Sequence, residues 1–244
     1  MSKVHFQNAD QKEFGMLFDT LCYSRSRYQV WSDIICLIAY SISNAVDPVH
    51  KESREKEYLK IASEYSKAEL ETISKLFAIV IASLEKNPDQ DFLGSLYMQL
   101  NLGNQHAGQF FTPYHVSKMM ALINIDSAKE QLKLQKMISV VDPCVGGGAM
   151  LIAFANACVE QGVNYQEHVL FVGQDIDHTV GLMAYIQLAL LHCPGYVVIG
   201  NSLTDPITGN PYVAPMGRET YITPAYSMLL QNQKQKEREK TECH

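Results

Sequence analysis

The chain has 244 residues, 47% of them apolar and 19% charged, and a formal net charge of −6. That balance fits a globular protein with a sizeable core, and no apolar run approaches the roughly 18 residues of a membrane span. The polar start, Met1 to Asp10, lacks a signal-peptide core, so a cytoplasmic protein with no membrane partner is expected.

Residues 10–105 read as helical. Phe14, Leu17, Phe18 and Leu21 recur at helical spacing, as do Trp31, Ile34, Ile35, Ile38 and Ile42 before the stop at Asp47-Pro48. A charged segment from His50 to Lys60 precedes a further apolar stripe at Leu70, Ile73, Leu76, Phe77 and Val80. Phe92, Leu96 and Leu100 mark a short helix before the Gly103-Asn104 turn.

The pattern changes after Gly108. Pro113 suits the first position of a helix running to Ile123, with Thr112 as its cap. Met137–Val141, Val169–Gly173 and Tyr196–Ile199 read as strands, and Ala149–Val159 and Thr179–His192 as the helices between them. Strand alternating with helix predicts a parallel sheet covered by helices. After Pro206, prolines and glycines punctuate the chain and predict irregular structure, ending in a mixed-charge tail over 231–244. The expected organisation is a helical N-terminal domain (1–105), an α/β core (106–206) and an irregular C-terminal segment (207–244).

None of the six cysteines forms a Cys-x-x-Cys pair or has histidines at ligand spacing. No metal site is expected, and the thiols read as reduced and mostly buried.

The densest signal is Asp142-Pro143-Cys144-Val145-Gly146-Gly147-Gly148 between a strand and a helix. Such a turn either lets backbone approach a ligand closely or is simply tight. It lacks G-x-G-x-x-G spacing, since Leu151 stands three positions after Gly148. An acid at the end of the next strand is the usual ribose ligand. Asp175 occupies that place, although it could instead cap the following helix, as Asp177 is expected to do.

The run Gly94 to Pro113, ending Gly108-Gln109-Phe110-Phe111-Thr112-Pro113, resembles the entry segment of the type I restriction-modification methylase subunits, which are N6-adenine DNA methyltransferases. Asp142 to Leu151 is similar to that family's first motif, Gly173-Gln174-Asp175-Ile176-Asp177 to its second, and Gly200-Asn201-Ser202-Leu203 to its third. The resemblance covers residues 92–206 and implies a Rossmann-like α/β methyltransferase core that uses S-adenosylmethionine. It implies that Phe110, Phe111, Thr112 and Pro113 wall the methionine end, and that Asp142, Pro143, Gly146 and Gly148 shape the cradle beneath it. Asp175 would hold the ribose hydroxyls and Ile176 would pack on the adenine ring, with Asn201 and Leu203 completing the adenine side. The family places an aspartate where Asn201 stands. The amide oxygen can still accept a hydrogen bond but lacks the charge that strengthens it, so weaker cofactor binding is expected.

The family's Asn-Pro-Pro-Tyr or Asn-Pro-Pro-Phe motif, which polarises the target amino group of a flipped-out base, has no good counterpart. Asn210-Pro211-Tyr212 lacks the second proline and the preceding strand, follows Asn201 by only nine positions, and reads as a turn. The core therefore is expected to stop or diverge after its third strand, and an open sheet edge would need covering. Two functions follow. One is an adenine-N6 DNA methyltransferase that a specificity or second methylase subunit completes on DNA, as a homo- or hetero-oligomer. The other is a catalytically inactive cofactor-binding or protein-interaction module.

Overall fold

The computed structural model describes residues 6–102 and 111–231. Five helices come first: α1 (Ala9–Leu21), α2 (Arg27–Val46), α3 (Lys51–Ser63), α4 (Lys67–Lys86) and α5 (Phe92–Gln99). Their starts follow from side-chain caps. Asn8, Ser26 and Asp91 each accept a backbone N–H of the first turn, and Ser66 with Glu69 forms a reciprocal capping box on α4. Trp31 of α2 centres an aromatic cluster, with ring centroids 5.9 Å from Phe14, Phe18 and Tyr97. The charged segment forms α3, in which only Arg54 is buried.

Helix α6 (Tyr114–Leu134) leads into β1 (Ile138–Asp142), α7 (Ala149–Glu160), a one-turn α8 (Tyr165–His168), β2 (Val169–Asp175), α9 (His178–Leu190), β3 (Gly195–Ile199) and β4 (Glu219–Ile222). The sheet order is β1-β2-β3-β4. The first three strands are parallel, and β4 runs antiparallel to β3. Register pairs Ile138 with Val169, Phe171 with Gly195, and Tyr196 with Ile222. Gly195 has no room for a side chain, because a Cβ would stand 1.8 Å from the Phe171 carbonyl oxygen. This is an incomplete Rossmann-like α/β core preceded by helices: the alternation predicted its parallel strands, and the family resemblance its class.

Both faces of the sheet are covered, as parallel strands require. Phe171, Val197 and Tyr221 join the large apolar cluster that also holds α2, α7 and α9. There Trp31 donates to the Met183 sulfur at 3.4 Å and Ser32 meets Thr179 at 2.9 Å, so α2 lies directly on α9. Leu170, Val172, Tyr196 and Val198 face the other way and are covered by Ile207, Tyr212, Tyr226 and Leu230.

Three local expectations need correction. Thr112 does not cap α6: Pro113 occupies the cap position, with no side-chain hydrogen bond. That helix also continues past Ile123 to Leu134, because Ser117, Ala121, Ile125 and Ala128 carry on its buried face. Within 207–244, where irregular chain was expected, Glu219–Ile222 forms β4 and residues 224–231 are helical. A strand of four residues between Gly217 and Pro224 is too short to show alternation. It is fixed by tertiary bonds, including Arg54 Nη2 donating to the Thr220 carbonyl at 2.7 Å.

The expected open edge is on β1. Among the described residues it pairs only with β2, and Val141 is 49% exposed. A groove of about 470 Å³ runs beside it, lined by Ala121, Ala128, Val140, Met150 and Phe154.

Candidate functional site

The C-terminal ends of β1, β2 and β3 form one rim, where ligands sit in open α/β sheets. After β1, the glycine turn has Gly146 at φ 56° and Gly148 at φ 98°, left-handed values that side chains rarely adopt. Gly148 also has little space, since a Cβ there would meet the Ala184 backbone of α9 at 3.3 Å. The turn is pinned to β2 by Val145 N donating to the Gln174 carbonyl at 2.9 Å. It then opens directly into the N-terminus of α7, where backbone N–H groups are free to meet a ligand.

Asp142 ends β1 with its Oδ1 accepting from Cys144 N at 3.0 Å. Asp175 ends β2. Its Oδ2 accepts from Gly146 N at 2.9 Å and its Oδ1 from Asp177 N at 3.0 Å, so this carboxylate braces the glycine turn from across the sheet. Asp177 caps α9 by accepting from Val180 N at 3.0 Å, as expected.

Burial pushes the Asp142 carboxyl above its ordinary range; the Cys144 N–H opposes this, and the Asp175 charge adds to it. Burial likewise pushes Asp175 up, against N–H groups from Asp177 and Gly146 and with the Asp177 charge adding. Among the described residues neither acid has an ion-pair partner. Such a pair of acids has its charge stabilised by an incoming cation or hydroxyl donors.

Two apolar side chains stand proud of this rim: Ile176 is 68% exposed and Leu203 91% exposed. Asn201 turns its Oδ1 inward, accepting from Leu203 N at 2.9 Å and Thr204 N at 3.3 Å. The third loop meets the first where Cys144 Sγ lies 3.8 Å from Ser202 Oγ.

The structure thus gathers Asp142, Pro143, Gly146, Gly148, Asp175, Ile176, Asn201 and Leu203 on one rim. Phe111 joins them: its ring is 3.6 Å from where a Gly146 Cβ would be, and it stacks on Tyr97 of α5 at 5.4 Å. Thr112 and Pro113, together with Phe111, line a cavity of about 630 Å³ with Asp91, Gly94 and Ser95. Phe110 lies outside the described residues.

Asn210-Pro211-Tyr212 is a turn, with Tyr212 N donating to Asn210 Oδ1 at 3.0 Å. Its tyrosine donates to the Met137 carbonyl at 2.8 Å, just before β1 begins. The five residues of β1 therefore separate that hydroxyl from the rim by about 15 Å.

Residues 89–240 match the family model described as N-6 DNA methylase. The chain belongs to the N-6 DNA methylase family. A solved structure from Listeria monocytogenes, of a protein assigned to the class I S-adenosylmethionine-dependent methyltransferases, is 15% identical with a TM-score of 0.43. That similarity covers 83% of this chain and 57% of the other, so the chain spans a little over half the length of that protein.

Two glutamines shape the rim of this family member and were given no role from the sequence, although Gln174 stands within the second motif. Gln174 of β2 is buried and holds the 200–207 loop, donating to the Gly200 and Asp205 carbonyls at 3.3 and 2.9 Å and accepting from Ile207 N at 3.3 Å. Gln187 of α9 is fully buried and donates to the Gly147 carbonyl at 2.7 Å. The available clue was position: each is a polar side chain inside an apolar run.

Proposed function

We propose that this chain binds S-adenosylmethionine at the ends of β1, β2 and β3 and serves adenine-N6 methylation of DNA in a restriction-modification setting. A partner would supply DNA recognition and the rest of the catalytic site. The carrying observation is the pair Asp142 and Asp175, partly buried acids without a cation, facing a glycine turn whose left-handed backbone favours glycine. The donor set suits the cofactor. Asp142 would take the methionine ammonium, Asp175 the ribose hydroxyls, and Ile176 with Leu203 would enclose the adenine ring.

When bound, the cofactor supplies a methyl group on a positively charged sulfur. Asp142 would hold its ammonium and Asp175 its ribose, while the α7 N-terminus would be available to its carboxylate. Asn201 is a weak adenine acceptor here, because its oxygen already serves two backbone amides. The open β1 edge supports the partner, since a strand added there would extend the sheet beside Asp142.

The second reading is a cofactor-binding module without catalysis. It is favoured by the tyrosine of Asn210-Pro211-Tyr212, whose hydroxyl is bound at the start of β1, away from the rim. Methyl transfer from isotopically labelled S-adenosylmethionine to DNA, with and without genomic-neighbour subunits, separates the two. The proposal expects N6-methyladenine when a partner is present. Bound cofactor with no DNA methylation under any pairing would leave only the module, and label on another base would overturn the adenine assignment.

A further inference from the structure

A second polar group touches the glycine turn from below. Asp91 caps α5, its Oδ1 accepting from Gly94 N at 2.9 Å. The same oxygen accepts from Gln187 Nε2 at 2.8 Å, and that Nε2 also donates to the Gly147 carbonyl at 2.7 Å. Gln187 Oε1 in turn accepts from Leu93 N at 3.1 Å. One amide therefore joins α5, α9 and the turn, with its donors and its acceptor all engaged.

The backbones are as close as glycine allows. A Cβ on Gly147 would stand 3.1 Å from the Gly94 Cα and 3.3 Å from Asp91 Oδ1, and a Cβ on Gly94 would strike the Asp91 carboxylate at 2.1 Å. Asp91 and Gln187 are both buried, far from solvent that could replace these bonds. A cap alone does not explain the arrangement. Serine caps a helix as well as aspartate does, and it would need neither a buried carboxylate nor a glutamine opposite.

We infer that Asp91 and Gln187 are positioning residues for the cofactor turn: by holding the Gly147 carbonyl down, they aim the Gly146 and Gly148 backbone at the ligand. This rests on the reading of 143–148 as the cofactor turn. It makes α5 part of the binding apparatus, since the same helix carries Tyr97, on which Phe111 stacks.

The test compares Asp91→Ser with Asp91→Asn in the full chain. Serine keeps the cap but cannot reach Gln187, whereas asparagine keeps an oxygen for both Gly94 and Gln187. Two readouts are taken: hydrogen exchange across 144–150 without cofactor, and calorimetric titration of S-adenosylmethionine. In Asp91→Ser we expect exchange in the turn to rise, and cofactor affinity to fall, by about tenfold, the worth of one buried hydrogen bond. Asp91→Asn should stay near wild type in both. Unchanged exchange and affinity in Asp91→Ser, at a wild-type melting temperature, would overturn the inference and leave Asp91 as a cap.

Should Asp91→Ser fail to fold, Gly147→Ala forces the same contact apart from the other side and is read identically. Loosening of the turn in a chain whose wild type takes no cofactor would uphold the clamp while removing the cofactor reading, so the two failures are distinguishable.

Discussion

Asp47 and Glu219 lie in one polar cluster and Asp142 and Asp175 at another, and only the first holds cations. Asp47 Oδ2 receives Arg54 Nη1 and His50 Nδ1, both at 2.8 Å, and Glu219 Oε1 receives His178 Nε2 at 3.0 Å. The Arg54 guanidinium also bonds Ser43 and lies 4.0 Å from the centroid of the Tyr221 ring. Burial pushes Asp47 up, but His50 and Arg54 outweigh it and hold the carboxyl below its usual range. The His178 bond does the same for Glu219. Asp142 and Asp175 go the opposite way. Acids satisfied by cations inside the fold fasten β4 to α2, α3 and α9; the two rim acids short of positive charge are the ones proposed to meet a ligand.

The sharpest way to break that contrast is on the paired side. Arg54→Met should leave Asp47 a buried charge with only His50, destabilising the fold by about 3 kcal/mol. Urea denaturation reads this directly, and a loss under about 1 kcal/mol would place the pair among ordinary surface bridges.

Asp142→Asn should act with opposite signs on stability and binding. The folded-state proton affinity of Asp142 is raised, so its contribution to stability is complete below the unfolded value and is lost as pH rises through the folded one. Asparagine mimics the protonated form and keeps the acceptor for Cys144 N. The cofactor-free variant should melt above wild type at pH 7, with the gain shrinking toward pH 4. Its cofactor affinity should fall by about tenfold. A variant that melts lower at pH 7 would contradict the strained-acid account.

Cys36 and Glu219 hold the His178 imidazolium up to about 10. Because the shift is upward, this stabilisation is complete below about 6.5, the ordinary histidine value, and fades as pH climbs toward 10. Melting temperature should drop over that window, and Glu219→Gln should flatten the drop. An equally steep profile in the variant would assign the effect to other groups.

The smallest expected change is Asn201→Asp. Aspartate can keep the turn that Leu203 N and Thr204 N make with the side chain and adds charge toward the adenine amino group. Cofactor affinity should tighten by about threefold to tenfold. No tightening would mean that the oxygen is fully committed to the loop.

The rim was legible in the sequence because its parts are local. Asp142 and the glycines sit between a strand and a helix, and Asp175 and Asp177 sit at the next such junction. Backbone demands there act over a few residues and leave a pattern. What escaped was built from distant partners. Strand β4 depends on β3 and Arg54, α6 outruns its apolar start, and the Asp91–Gln187–Gly147 contact joins three elements separated by up to 96 positions. A lone glutamine in an apolar helix signals that something buried needs a donor, but the sequence does not say what.

The most direct measurement is calorimetric titration of S-adenosylmethionine into the full chain beside Asp175→Ala. The account predicts binding to the wild type and a loss of about a hundredfold in the variant, the worth of charge-assisted bonds to two hydroxyls together with the brace on Gly146 N. Equal binding by both proteins, or none by the wild type at millimolar cofactor, would contradict the assignment of the unpaired acids to the cofactor.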